Sequence, residues 1–401
     1  MHPPAIIIGL DSMQGLQVAR ILRDRGVPVV GISRNAGHYA NRTRTCERIV
    51  HSATGGGELT RTLLDLADHI PMPAVLIPCQ DKTVLVVSDD RDQLAAAGYL
   101  FRLPNADTVR RLVDKATFSD YARSIALSIP VSHRVSSRAD LEAAAADLPY
   151  PAVIKPANRA GEWVRQTRAK AIRAESADEL RGIHDRAGAW APEFVVQQWV
   201  EGPESNLYSF NGCYDVESRP LASFIARKLR QYPPGVGQSC YGEEVRADEV
   251  LEAAHLLFRS AGMAGLAYLE MKKDERTGVF YAIEPNIGRP TGRSPIAEAG
   301  GVALHFTAYC DAAGLPLPPP PERTQTYGSA KWIHLLRDTQ TSVHYIRAGE
   351  LTVGAWLRSL RGRKAYAVWS WRDPWPFLGA LREGTRAVVG AGEVRHDTLE
   401  V

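Results

Sequence analysis

The sequence is poor in cysteine, and its five (Cys46, Cys79, Cys213, Cys240 and Cys310) are scattered without CxxC spacing. That scatter argues against a zinc module and against a disulfide framework, and it points to a reducing cytoplasm. No uninterrupted apolar stretch is long enough to span a bilayer, and the apolar run in MHPPAIIIGLDS is too short for a signal peptide. There is no long basic run, and a net charge of +3 is too slight to argue for nucleic acid. Internal repeats are missing. So is the GxGxxG spacing around Gly9 and Gly15, which therefore read as glycines shaping a βα turn at the mouth of a small-molecule cleft rather than as an NAD fingerprint. No Ser/His/Asp or Cys/His nucleophile set is evident, and His133, His255 and His305 read as structural or exposed.

What is present is a chain of 401 residues with the apolar and charged fractions of an ordinary soluble protein, enough for two or three domains. AIIIGLDSMQGLQVARILRDRGVPVVGISR reads strand, glycine turn, amphipathic helix, strand, and the alternation continues through ELTRTLLDLADHI and AVLIPC. That is the pattern of a parallel, doubly wound sheet over 1–107. From Asn105 the pattern changes to α+β: ADTVRRLVDKATFSDYARSIALSIP predicts a helix ending at Pro130, followed by several strands and a few helices through 108–315. LPLPPPPERT (315–324) reads as a stiff polyproline linker into a Trp-rich segment over 316–401. Trp332, Trp356, Trp369, Trp371 and Trp375 are expected to form a small core of their own.

Chemistry concentrates in a few places. GLAYLEMKKD and GVFYAIEPN predict an antiparallel pair in which Glu270 faces Glu284, while Asn286 shares a face with Glu284 because side chains alternate along a strand. Two carboxylates and an amide oxygen on one face suit Mg²⁺; the plainer alternative is a solvent-exposed hairpin edge with coincidental acids. Lys115 lies in a helical stretch, where an exposed lysine is unremarkable. Lys155 ends an apolar strand before Pro156, and a lysine placed there needs an anion. Arg227 and Lys228 end another apolar strand, before the loop QYPPGVGQS, which has the composition of a phosphate lid. Arg34, Arg289 and Arg293 suggest at least one anionic substrate.

The order of these elements is more telling than any one of them. Asp114-Lys115, then Lys155 about forty residues on, then QQWVEGPE, then an acid, then ExN followed by arginine, resembles the ATP-grasp superfamily over residues 1 to about 320. The likeness is to its carboxylate–amine ligases, such as D-alanine–D-alanine ligase and D-aspartate ligase. The resemblance implies an ATP-grasp fold behind an N-terminal Rossmann-like pre-ATP-grasp domain, with a C-terminal extension. It also implies ATP and Mg²⁺, expected as two ions, as cofactors. Lys115 and Lys155 match the phosphate-binding lysines, and Gln197, Gln198, Trp199 and Val200 the linker that holds adenine. Glu204 matches the acid on the ribose hydroxyls, and Glu270, Glu284 and Asn286 the metal triad. Arg289 resembles the arginine on the transferring phosphoryl group, and Arg293 is placed to grip a substrate carboxylate. In this chain ANRAGEWVRQTRAKA, with Gly161 alone, replaces the usual Gly/Ser-rich phosphate loop, and Arg159, Arg165 or Lys170 are the candidates to supply charge there. Asn-Ile-Gly-Arg also carries one residue more than the Asn-x-Arg of biotin-carboxylase-like members.

The implied reaction is phosphorylation of a small carboxylic acid to an acyl phosphate, then attack by an amine, expected to be an amino acid, to give an amide. Alternatives are a carboxylase- or kinase-like relative acting on another nucleophile, and a non-catalytic ATP-binding regulatory module. The expected partners are small-molecule acid and amine, with no nucleic acid and no membrane span; a homodimer is compatible with the sequence.

Overall fold

A computed structural model describes residues 2–157, 162–167, 171–234 and 237–389. The chain begins with a five-stranded parallel sheet of β1 (Ala5–Ile8), β2 (Val29–Ser33), β3 (Arg48–His51), β4 (Ala74–Pro78) and β5 (Tyr99–Leu100), ordered β3-β2-β1-β4-β5. Strands β1, β2 and β4 are buried along their whole length, as their unbroken apolar runs require of strands covered on both faces. The first turn depends on its glycines. Gly9 has φ +97°, and a Cβ on Gly15 would lie 2.3 Å from the Gly9 carbonyl oxygen, so the helix Met13–Asp24 can start close against β1 only if both lack side chains.

The predicted long helix after Asn105 is two helices, Ala106–Val113 and Lys115–Ser124. Asp114 between them has an extended ψ of 127°, and its carboxylate accepts from the Thr117 N–H at 2.9 Å, capping the second helix. Lys115 thereby starts a helix instead of riding in the middle of one. A four-stranded antiparallel sheet follows, built from β6 (Ser132–Val135), β7 (Ala152–Pro156), β8 (Ile172–Ala174) and β9 (Phe194–Gln198) in the order β6-β9-β7-β8.

The largest element is a seven-stranded sheet ordered β14-β13-β10-β11-β12-β15-β16: β10 (Leu207–Tyr214), β11 (Pro220–Tyr232), β12 (Gln238–Glu244), β13 (Gly265–Lys273), β14 (Phe280–Ile287), β15 (Lys331–Ile333) and β16 (Lys364–Tyr366). Strands β9 and β10, adjacent in sequence across the Gly202-Pro203 turn, therefore belong to different sheets. One face of the seven-stranded sheet packs Phe210, Ile225, Leu269 and Met271 against the helix Asp248–Ser260. The other packs Phe224, Ala226 and Tyr268 with Leu16 of the N-terminal helix and Trp332. Among the described residues no helix is long and apolar enough to cross a membrane.

The C-terminal tryptophans do not form a core of their own. Trp332 is fully buried on β15 and donates its indole N–H to Gln17 at 2.8 Å, whereas Trp371 is 85% exposed. Trp356 donates to Asp338 at 3.0 Å, Trp369 packs edge-on to Phe377, and Arg44 lies over Trp375. Burial on shared surfaces outweighed association with each other because β15 had an open sheet edge, β12, to join. The proline stretch likewise is not a free spacer. Pro320–Arg323 forms a 3₁₀ turn, the Ala303 N–H bonds to the Glu322 carbonyl, and Arg323 donates to the Leu221 carbonyl at 2.9 Å.

Candidate active site

Strands β13 and β14 run antiparallel with Glu270 directly opposite Glu284 and Tyr268 opposite Asn286. A bulge between Glu270 and Met271 leaves Ile283 pointing to solvent, so Glu284 keeps the same face as Glu270 while Ala282 returns to the core. Burial and the facing Glu270 push the Glu284 carboxyl above its ordinary range, while Lys115 and Arg289 oppose the shift. Two like charges opposite one another on a sheet are unfavourable alone, so this face is a place for a cation. Among the described residues no three His, Cys, Asp or Glu side chains gather as a metal-holding group; the neutral oxygen beside the two acids is the Asn286 amide, which accepts from Arg289. Two carboxylates plus a neutral oxygen fit a hard divalent ion that fills its remaining positions with phosphate and water.

Across from these acids sit the lysines. Lys115 Nζ is 3.9 Å from Glu284 Oε2. Lys155, partly buried on β7, donates to Gln197 Oε1 at 3.1 Å; burial, with Lys115 nearby, lowers its pKa, and Glu284 partly restores it. Lys228 is buried on β11 and donates to Gln231 Oε1 at 3.1 Å, and its pKa is likewise lowered by burial against the pull of Glu270. Arg227 does not join this group. Neighbouring strand positions point to opposite faces, and Arg227 is paired instead with Glu243 across β12 at 2.6 Å. Arg165 is paired with Glu162 on a short exposed helix, and Arg159, Gly161 and Lys170 lie outside the described residues, as do two residues of the QYPPGVGQS loop.

The segment Gln197–Val200 leaves the small sheet beside this cleft. The Gln198 N–H bonds to the Val131 carbonyl and the Trp199 N–H to that of Pro151, while the Trp199 ring lies under Lys272 and Arg173. Gly202, at φ +118°, and Pro203 then turn the chain so that Glu204 begins a short 3₁₀ helix into β10. Its Oε1 accepts from the Gln231 amide at 2.7 Å and its Oε2 from the Tyr345 hydroxyl at 2.6 Å.

The two arginines after β14 part company. Gly288, in the left-handed region at φ +67°, turns the chain and sends Arg289 to Asp81, at the carboxyl end of the parallel sheet, with bonds of 2.5 and 2.8 Å; Arg289 also donates to Asn286 Oδ1. Arg293 is fully enclosed, donates to the Ser239 hydroxyl at 2.5 Å, and keeps a buried Nε without a partner. Arg34 remains exposed just past β2. Sequence reading missed Asp81, Gln231 and Tyr345. Asp81 and Gln231 could have been flagged as polar residues at strand ends; Tyr345 carries no local signal.

No family model matches the chain. By sequence it is similar to D-alanine–D-alanine ligase of Ectopseudomonas mendocina (strain ymp), 26% identical over 187 residues, 43% of this chain and 55% of that one. It is 22% identical, over a similar share, to D-alanine–D-alanine ligase B of Pseudomonas syringae pv. tomato. The chain thus spans about half the length of the curated relatives it matches. In structure it is similar to phosphoribosylglycinamide synthetase from Anaerococcus prevotii (TM-score 0.61, 14% identity, covering 79% of this chain and 76% of that one). It is also similar to an ADP complex of N5-carboxyaminoimidazole ribonucleotide synthetase (TM-score 0.59, 16% identity, 79% of each chain). The fold is mixed α/β and resembles that of ATP-grasp enzymes. In sequence and in fold the chain thus resembles the carboxylate–amine ligases of the ATP-grasp superfamily.

Proposed function

We propose that this protein is an ATP- and Mg²⁺-dependent ligase that activates a substrate carboxylate as an acyl phosphate and joins it to an amine, an amino acid being the expected one. The supporting observation is the facing Glu270–Glu284 pair with Lys115 and Lys155 close to Glu284 and Lys228 close to Glu270. In this reading residues 1–107 are a Rossmann-like pre-ATP-grasp domain, 108–315 hold the nucleotide between two subdomains, and 316–401 are an extension. The main chain of Gln197–Val200 takes adenine and Glu204 the ribose hydroxyls. Lys115, Lys155 and Lys228 take phosphate oxygens. Lys155 and Lys228 are held partly desolvated, so an anion gains more from them than from the exposed Lys115. Glu270, Glu284 and Asn286 would hold Mg²⁺, which when bound offsets the charge of the β- and γ-phosphates.

Arg293, enclosed and with an unpartnered N–H, is suited to a substrate carboxylate. A carboxylate oxygen attacks the γ-phosphorus and ADP leaves; the amine nitrogen then attacks the acyl carbon, and phosphate leaves as the nitrogen gives up a proton. Arg289 steadies the phosphoryl group from the Asp81 side. Acyl phosphates hydrolyse readily, and residues 229–242 and the C-terminal segment are the candidates to exclude water.

The test is ADP release across panels of small acids and amines. Release that requires the amine, with a new amide seen by mass spectrometry, is the expected result. Release with a single substrate would move the protein to a carboxylase- or kinase-like reaction, and nucleotide binding without turnover would make it a regulatory module.

A further inference from the structure

Among the partners of the Glu204 carboxylate are two donors from different parts of the chain. Gln231, at the end of β11, reaches Oε1, and Tyr345, on the C-terminal helix Leu335–Arg347, reaches Oε2. Neither donor is loosely placed. Gln231 is buried, accepts from Lys228 Nζ, and its carbonyl accepts from the Thr341 hydroxyl at 2.9 Å on the same helix as Tyr345. That helix is fixed to β11 by the buried Arg230–Asp338 pair at 2.7 and 3.1 Å, and Trp356 donates to the same carboxylate. Burial and the bond to Glu204 raise the Tyr345 phenol well above its ordinary value, so it remains a proton donor across the physiological range.

We propose that Tyr345 is a positioning residue for nucleotide recognition, fixing the Glu204 carboxylate so that the site prefers a ribose over a 2′-deoxyribose. The inference rests on the nucleotide reading of Glu204 above and goes beyond it by assigning a role to the C-terminal segment. A carboxylate can accept about four hydrogen bonds, and a donor on each oxygen orients it for ligand hydroxyls. Fixing it in advance removes rotamer freedom that the ligand would otherwise have to freeze. Losing one donor should therefore weaken the contact to the 2′-hydroxyl and leave the base and phosphate contacts intact.

The experiment is calorimetric binding of Mg²⁺-ATP and Mg²⁺-2′-deoxy-ATP to the full chain, its Tyr345→Phe, Gln231→Met and Glu204→Ala variants, each with a melting curve. The wild type should favour ATP. Tyr345→Phe should weaken ATP about three- to tenfold, the usual worth of one hydrogen bond, with 2′-deoxy-ATP almost unchanged. Gln231→Met should shrink the ratio in the same direction, so the claim stays testable if one variant fails to fold. A lower melting temperature with an unchanged ATP to 2′-deoxy-ATP ratio would mean that Tyr345 is merely structural and would overturn the proposal. If Glu204→Ala loses the preference while Tyr345→Phe and Gln231→Met retain it, this inference alone fails. If Glu204→Ala also retains it, the nucleotide reading of Glu204 fails as well.

Discussion

Strand β11 carries two buried cations, Lys228 and Arg230, separated by a bulge at Leu229, and they have opposite fates. Arg230 is matched by two bonds to Asp338 at 2.7 and 3.1 Å, its guanidinium lies over Tyr241, and Asp338 takes a further bond from Trp356. Lys228, with no carboxylate within ion-pair distance among the described residues, has the Gln231 amide as its neighbour and Glu270 further off. Arg293 is similarly enclosed with a spare N–H. Buried charge costs several kcal/mol unless it is paired. A chain that satisfies Arg230 and leaves Lys228, two positions earlier, short of a carboxylate sets the two charges apart; in the ligase reading the first is structural and the second is for a ligand.

That contrast can be broken in stages. Glu284→Gln should lower turnover by about a thousandfold or more, because the cation site loses a charged oxygen. Its melting temperature should hold or rise, since Glu270 loses a like-charged neighbour; full activity would sink the ligase reading. Asp338→Ala strands Arg230 in the interior and should cost roughly 3–5 kcal/mol in urea unfolding. Lys228→Met should do the reverse. It should leave the ligand-free fold as stable or more so, yet weaken ATP binding about tenfold to a hundredfold, from roughly 1.5–3 kcal/mol for a charge-assisted bond. If Lys228→Met and Asp338→Ala destabilise equally, the distinction between the two cations is wrong.

The smallest effect is on pH dependence. Glu284 has its folded pKa raised, so its contribution to stability is fully present below the unfolded pKa and is lost as pH rises through the folded one. Without Mg²⁺ that contribution should fall as pH rises through the Glu284 titration; Mg²⁺, which favours the ionised form, should restore it. The shift in melting temperature on adding Mg²⁺ should therefore grow with pH over that window and flatten in Glu284→Gln.

Local pattern carried much of this site. The period of two along β13 and β14 was enough to set Glu270 against Glu284 and Asn286 on the same side as Glu284, and the strand–helix alternation showed the parallel sheet. What local pattern could not carry was pairing across long stretches of chain. Strand β15 joins β12 only in three dimensions, and the tryptophans around it looked like a separate core for that reason. Tyr345 reaches Glu204 across a separation of 141 residues, and no periodicity encodes that meeting. Arg227 is the opposite case: period two, applied to it as it was to Glu284, would already have sent it to the other face from Lys228.

Asp373 has one more consequence. Its buried carboxylate accepts from the Arg20 guanidinium at 3.0 Å, the Thr43 hydroxyl at 2.6 Å and the Arg44 N–H at 3.1 Å, and its carbonyl accepts from Arg20 as well. Arg20 and Asp373 are 353 residues apart, and at translation rates of about 5–20 residues per second the partner emerges on the order of twenty seconds to a minute later. Until then the five-stranded parallel sheet presents an unpaired guanidinium and two uncovered polar groups on the surface where residues 368–389 will dock. Order of synthesis thus makes the parallel sheet a waiting template, completed only when Asp373 arrives.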